Sequence, residues 1–112
     1  MEPIERRTLG ETGAVVTKLG FGSAGIGDLT ETLNERMAQD ILQAAWDGGI
    51  RYYDTSPFYG HGKSEHRLGT FLRQQPRDEF IVSTKVGRVF RSQNRTLPQH
   101  RKPADFVGAL PF

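Results

Sequence analysis

The chain has 112 residues, with 15 Lys and Arg against 13 Asp and Glu, a formal net charge of +2, and no cysteine. That length suits one small domain, and the missing cysteines exclude a disulfide framework, thiolate metal sites and a cysteine nucleophile, in keeping with a reducing cytoplasm. A 36% hydrophobic and 25% charged composition is that of an ordinary globular protein. No apolar run approaches the roughly 20 residues of a membrane helix, and the charged start, Met1 to Arg7, lacks the apolar segment of a signal peptide.

Arg6 to Leu9 and Ala14 to Val16 flank Gly10-Glu11-Thr12-Gly13, which predicts a short β-hairpin. Lys18 to Phe21 reads as a brief strand that runs into a glycine-rich loop, Gly20 to Gly27. Thr32-Leu33-Asn34-Glu35 fits a capping box with Thr32 as the helix cap. Met37, Ala38, Ile41, Leu42 and Ala45 then recur at helical spacing, and Gly48-Gly49 ends the helix. A strand follows from Ile50 to Asp54, then a loop from Thr55 to Lys63. A second helix is predicted from about Ser64, as cap, to Arg73, with Leu68, Phe71 and Leu72 facing inward. Pro76 stops it, and Glu79 to Val86 carries the apolar run Phe80-Ile81-Val82 expected of a parallel strand buried on both faces. Strands alternating with helices predict an α/β fold with parallel pairing and right-handed crossovers.

Gly20, Gly22 and Gly25 spell G-x-G-x-x-G, which admits two readings. In a Rossmann dinucleotide site the helix opens within the motif and receives the pyrophosphate, whereas here the helix start lies well downstream. The favoured reading is a loop at the C-terminal end of a first barrel strand, with Gly22, Ser23 and Ala24 lining a pocket.

Asp54 closes one strand, Tyr59 lies five residues on, and Lys85 falls at the end of the next strand. Adjacent parallel strands lie roughly 5 Å apart, a gap that a lysine stem crosses. Asp54 and Lys85 are therefore placed to pair, with Tyr59 folding over them. A lysine held cationic by a carboxylate stabilises a neighbouring tyrosinate and eases proton release from the phenol. A salt bridge beside a packed aromatic is the competing structural reading.

His61, Glu65 and His66 match neither H-E-x-x-H nor H-x-x-E-H and show no third ligand, so no metal site is expected. Trp46 is read as a packing residue. Arg88, Arg91, Arg95, Arg101 and Lys102 lack interleaved aromatics and read as a solvated loop rather than a nucleic-acid surface, and nothing marks out His100.

Leu19-Gly20-Phe21-Gly22-Ser23-Ala24, the run from Gly49 through Asp54-Thr55-Ser56-Pro57-Phe58-Tyr59-Gly60, Ser64-Glu65 and Ser83-Thr84-Lys85 together resemble the aldo-keto reductases. The stretch from Phe58 to Gly69 is similar to one branch, the aldose and pyridoxal dehydrogenases. The resemblance implies a (β/α)8 TIM barrel closed at its bottom by a hairpin, of which residues 1–112 would supply the hairpin and about three βα units. It implies NADP or NAD as cofactor, a small carbonyl or sugar substrate, and no nucleic-acid or membrane partner. It assigns Tyr59 as general acid, Lys85 as the cation that favours its ionised form, and Asp54 as the anchor of Lys85. Gly22, Ser23, Ala24 and Asp54 would lie against the cofactor.

A complete barrel needs about 250 residues and eight strands. The chain is therefore expected to be part of a longer protein, whose remainder holds the family's catalytic histidine and its adenosine-phosphate grip. Three strands alone would leave an open edge, which invites self-association. The alternative function is a non-catalytic fragment or interaction module that keeps the motif without turnover, and a weaker third is a small Rossmann-type nucleotide binder.

Overall fold

A computed structural model describes residues 3–90. The expectations placed on Arg91, Arg95, His100, Arg101 and Lys102 lie outside the described residues.

The hairpin forms from β1 (Arg6–Thr8) and β2 (Val15–Thr17), paired antiparallel with Arg7 opposite Val16. Its turn closes through Thr12, whose hydroxyl donates to the Leu9 carbonyl at 2.6 Å, while Gly10 and Gly13 take positive φ. Thr17 fixes where the hairpin sits. Its buried hydroxyl accepts from the Arg51 N–H at 3.1 Å and donates to the Leu19 carbonyl at 2.8 Å. The hairpin therefore lies against the N-terminal end of β4 (Tyr52–Asp54).

The main sheet is parallel, in the order β3 (Phe21–Gly22), β4, β5 (Ile81–Ser83). The first strand is thus displaced toward the glycines from the Lys18 to Phe21 stretch that the sequence suggests. Between β3 and β4 runs α1 (Glu35–Asp47), and between β4 and β5 runs α2 (Lys63–Leu72). This is the βαβ alternation that the sequence predicts.

Tyr53 is the centre of the core. Strand alternation turns it toward the helices and leaves Tyr52 and Asp54 on the other face. Its ring, fully buried, stacks 6.5 Å from Trp46 and lies 5.8 Å from Phe21, and its hydroxyl donates to the Ile50 carbonyl at 3.1 Å. Burial pushes the Tyr53 phenol up to about 12, against the opposing pull of Arg51. Trp46 also meets Phe71 and Phe80 edge-on, so it packs as expected, and the Arg51 guanidinium covers its ring at 3.7 Å. Ile26, Leu33, Ala38, Leu42, Leu68 and Leu72 complete the cluster.

Several local expectations are corrected. The cap of α1 is Asn34, whose side chain accepts from the Met37 N–H at 2.8 Å, and not Thr32. Glu35 does not close a capping box but accepts from Arg67. Of the predicted face of α1, Ala38 and Leu42 are buried while Met37 and Ile41 stay exposed. Ser64 does not cap α2; Gly62, at positive φ, precedes the helix, and Ser64 sits in its first turn. Val82 is 39% exposed, because β5 is the edge strand among the described residues. The glycine motif runs into a 3-10 turn (Gly25–Gly27), and α1 opens eight residues later, which removes the geometry a Rossmann site requires. Among the described residues, no helix is long and apolar enough to cross a membrane.

Candidate active site

Parallel pairing brings the C-terminal ends of β3, β4 and β5 to one rim. Asp54 is the last residue of β4, paired with Gly22 on one side and Ser83 on the other. The ladder continues one step past the strands, with Ser23 N–H on the Asp54 carbonyl and Thr55 N–H on the Ser83 carbonyl, both at 2.9 Å. The rim is thus fixed by backbone before any side chain acts.

Lys85 lies two residues beyond β5 and reaches back across the rim. Its ammonium donates to Asp54 Oδ2 at 2.7 Å and to the Thr55 carbonyl at 2.8 Å. The other carboxylate oxygen, Oδ1, accepts from the Ser83 hydroxyl at 2.6 Å, and Tyr52 completes the relay by donating to Ser83 Oγ at 3.3 Å. Both oxygens of Asp54 are therefore occupied, and the carboxylate cannot rotate away from Lys85 without losing a bond. The Tyr59 ring centre lies 5.2 Å from Lys85 Nζ. The structure thus brings Asp54, Tyr59 and Lys85 together at one edge.

Burial works to raise the Asp54 carboxyl, but the hydrogen bonds from Lys85 and Ser83 and the Lys85 charge outweigh it, leaving it below its ordinary value. Lys85 is raised, chiefly by its bond to Asp54, against burial and with help from the Asp54 charge and from Tyr59. At neutral pH the pair is a carboxylate and an ammonium, with side chains 41% and 47% exposed.

Tyr59 rides on the loop between β4 and α2. Its N–H donates to the Ser56 carbonyl at 3.2 Å, and its own carbonyl accepts from Ser64 N–H in the first turn of α2 at 3.1 Å. The Ser64 hydroxyl, fully buried, donates to the Ser23 carbonyl at 2.7 Å and so must accept from Thr55 at 2.8 Å. One serine thus joins the β3 loop, the end of β4 and α2, which is why it is not available as a cap.

A cavity of about 220 Å³ opens beside the triad, lined by Ser56, Pro57, Phe58, Tyr59, Lys85, Val86 and Arg88. The Arg88 guanidinium lies 4.1 Å over the Phe58 ring. Gly22, Ser23 and Ala24 do not line this cavity. Gly22 is exposed at the rim beside Asp54, Ala24 is half-buried, and Ser23 is fully buried with its hydroxyl unpartnered. Ser23 turns its hydroxyl into the core and meets the rim through its main chain, whose N–H donates to the Asp54 carbonyl. A larger groove of about 450 Å³, bordered by Leu68, Leu72, Phe80 and Val82, shares no residue with the cavity and holds none of Asp54, Tyr59 and Lys85. Tyr59 and Lys85 both line the smaller space.

His61 packs between Phe58 and Phe90, with ring centres 5.4 and 5.3 Å away. Among the described residues, no three His, Asp or Glu side chains gather as a metal would need.

Sequence reasoning gave Ser83 no role of its own, although parallel pairing of the last two strands puts it opposite Asp54. It also missed a clamp behind the loops. Arg67, 3% exposed on α2, donates to the Ile26 carbonyl, Asp28, the Leu33 carbonyl and Glu35, and Lys63 adds a second cation to Asp28 at 2.6 Å. These partners hold the Asp28 carboxyl well below the usual carboxylate range, the Lys63 bond first, then the Leu33 N–H and Arg67. No local pattern announces this network.

The model of the aldo/keto reductase family matches residues 18–106. D-threo-aldose 1-dehydrogenase from Pseudomonas sp is 52% identical over 86 residues, covering 77% of this chain and 26% of that protein. Pyridoxal 4-dehydrogenase from Microbacterium luteolum is 47% identical over 96 residues, covering 84% of this chain and 28% of that protein. The chain therefore spans little more than a quarter of the length of these two relatives. Among solved structures, an aldo-keto reductase from Bacillus halodurans in its holo form superposes with a TM-score of 0.70 at 33% identity, over 82% of this chain and 28% of that one. An aldo-keto reductase from Klebsiella pneumoniae in complex with NADPH gives 0.55 at 28% identity, over 65% and 25%.

Proposed function

The chain belongs to the aldo/keto reductase family, and on that premise we propose that the protein is an NAD(P)-dependent oxidoreductase acting on the carbonyl or alcohol of an aldose or similar aldehyde. The observation that carries the reading is the Lys85 ammonium, 2.7 Å from Asp54 and 5.2 Å from the Tyr59 ring centre, at the edge of an open cavity.

The rim suits a nicotinamide nucleotide on its own chemistry. Gly22 presents open backbone there, since a Cβ would meet nothing within 4 Å, so a flat ring can approach the strand end beside Asp54. We assign Gly22, Ser23 through its main chain, Ala24 and Asp54 to cofactor contact. A bound nicotinamide supplies the hydride in reduction and accepts it in oxidation. In reduction, the carbonyl oxygen would take its proton from the Tyr59 hydroxyl. In oxidation, Tyr59 receives the alcohol proton. Lys85 stabilises the phenolate left when the proton departs, because an ammonium beside an oxyanion lowers its energy. Asp54, held by Ser83, keeps that ammonium in place.

The likeness to enzymes named for aldose and pyridoxal oxidation supports a small polyhydroxylated or aromatic aldehyde as substrate. The likeness to a structure titled as an NADPH complex supports the cofactor class. The test is turnover of the protein, expressed to the full extent of its reading frame, with NAD and NADP and a panel of aldoses. Tyr59→Phe should reduce kcat by about 10² to 10⁴ while nucleotide binding persists, as expected for loss of a general acid–base group. Undiminished turnover in that variant, or absence of nucleotide binding in the native protein, would overturn the reading.

A further inference from the structure

The geometry points to Gly27 as a positioning residue for Tyr59, held in place by the Arg67 clamp, and this rests on the catalytic reading of Tyr59 above. The 3-10 turn of the β3 loop meets the Tyr59–Gly60 peptide backbone to backbone. A Cβ built on Gly27 would stand 2.8 Å from the Tyr59 carbonyl carbon and 2.9 Å from its oxygen. The contact is mutual, for a Cβ on Gly60 would collide with the Gly27 carbonyl oxygen. Real Cβ atoms do not sit that close to peptide atoms, so two loops from different strands approach here only because both residues are glycine.

Within the turn, Ile26 is anchored in the core and the Gly27 N–H closes on the Ala24 carbonyl at 3.0 Å, but no side chain of the turn bonds the Tyr59 loop among the described residues. The neighbours of Gly27 on either side are pinned instead. The Arg67 guanidinium donates to the Ile26 carbonyl at 2.7 Å and to Asp28 at 2.8 Å, the residues immediately before and after Gly27. Lys63 takes the other oxygen of Asp28, and both cations belong to α2, whose first turn also accepts the chain from Tyr59. Gly27 is thus pressed against the peptide of Tyr59 by the same helix that fixes the far end of the Tyr59 loop. The phenol is placed from behind by the turn and from ahead by the helix.

Gly25 offers an internal control. It lies in the same turn, and a Cβ there meets nothing within 4 Å. The experiment compares Gly27→Ala and Gly25→Ala, each made in the native protein and in Tyr59→Phe. Gly27→Ala should lower kcat about 10²-fold, the size expected when a reacting group is displaced by about 1 Å, with the nucleotide KM unchanged. Gly25→Ala should leave turnover unchanged. On the residual activity of Tyr59→Phe, Gly27→Ala should cost nothing further, since its effect runs through the phenol.

A second readout does not depend on turnover. In protein labelled with ¹³C-tyrosine, the Tyr59 ring resonance, assigned by its loss in Tyr59→Phe, should move in Gly27→Ala and stay in Gly25→Ala. If Gly27→Ala does not fold, Asp28→Asn loosens the same turn by weakening its bonds to Arg67 and Lys63 and should show the same non-additive pattern with a smaller loss. An unchanged kcat in folded Gly27→Ala, an equal loss in Gly25→Ala, a loss that multiplies with that of Tyr59→Phe, or an unmoved ring resonance would each overturn the inference. A native protein without nicotinamide-dependent turnover would defeat the proposed function, and the resonance comparison would still decide the role of Gly27.

Discussion

Replacing Arg67 with Met should destabilise the protein by about 3–4 kcal/mol. Methionine keeps much of the apolar stem and removes a guanidinium that is 3% exposed. Two buried residues, Ile26 and Leu33, then lose the donor to their carbonyls, and an unsatisfied buried acceptor costs about 1–3 kcal/mol. Asp28 keeps Lys63 and the Leu33 N–H, so its carboxylate is not orphaned, and Glu35, 69% exposed, turns to water at little cost. Relief of the buried guanidinium offsets part of the loss, which places the total within the roughly 3–5 kcal/mol measured when one partner of a buried pair is removed. Urea unfolding followed by circular dichroism reads this directly. At a slope near ~2 kcal/mol/M the midpoint should fall by roughly 1.5–2 M. The pH dependence supplies the check on mechanism. The Asp28 carboxyl lies below its ordinary value in the folded state, so its contribution is full above the unfolded value of about 3.9 and is lost progressively as pH falls from there through the lower folded value. The gap between native and variant should therefore be equal at pH 7 and pH 5. A loss under about 1 kcal/mol, or a gap that narrows between those two values, would refute the assignment of Arg67 as a buried clamp.

Tyr53→Phe removes one hydrogen bond in the core and should cost about 1 kcal/mol at neutral pH by urea unfolding. Because burial raises the Tyr53 phenol to about 12, the native protein should also lose stability as pH rises from about 10 toward 12, where the unfolded phenol ionises first. The phenylalanine variant should lack that component. Asn34→Ala should lower thermal stability by about 0.5–2 kcal/mol, whereas Thr32→Ala should fall within about 0.5, since Asn34 alone caps α1. Lys85→Met should move the Asp54 carboxyl titration upward, followed by ¹³C NMR, because burial would then be opposed by the Ser83 hydrogen bond without the ammonium. A titration unmoved by that change would remove Lys85 as the partner of Asp54.

The rim of the site was legible because it depends on short-range rules. Strands alternating with helices, a glycine stop after the first helix and parallel pairing place Asp54 at one strand end and Lys85 just past the next, and the reach of a lysine does the rest. The supporting shell was not, and the reason is sequence distance. Arg67 meets residues 32 to 41 positions away, and half of its partners are main-chain carbonyls, which every residue possesses. Ser64 shows the conflict in miniature. Its type and position fit a helix cap, yet a tertiary acceptor at Ser23 claims the hydroxyl and the cap passes to a glycine. At the head of α1 the cap falls on Asn34 rather than Thr32, and the Leu33 N–H between them donates to Asp28, a partner five residues back that a capping-box pattern does not include. The apolar run at Phe80-Ile81-Val82 correctly marked a strand, but burial on both faces requires a neighbour for Val82 that the described residues do not provide.

The two carboxylate–cation systems differ in a way that separates folding from chemistry. Arg67 and Asp28 are 3% and 13% exposed, and a pair that dry fixes geometry, because breaking it leaves buried groups without partners. Lys85 and Asp54 are 47% and 41% exposed, in a setting where ion pairs contribute roughly 0–1 kcal/mol to stability. Folding alone gives little reason to fill both oxygens of Asp54, one with Ser83 and the other with Lys85, at such a wet position. An ammonium held charged and open to the cavity fits the proposed function, in which Tyr59, its ring centre 5.2 Å away, moves the proton. The loops then have a division of labour. The dry pair bonds the residues on either side of Gly27, which meets the Tyr59 peptide, and the wet pair lies beside the Tyr59 ring; the proposed function would have these two networks, which share no side chain, set the position and the electrostatics of one phenol.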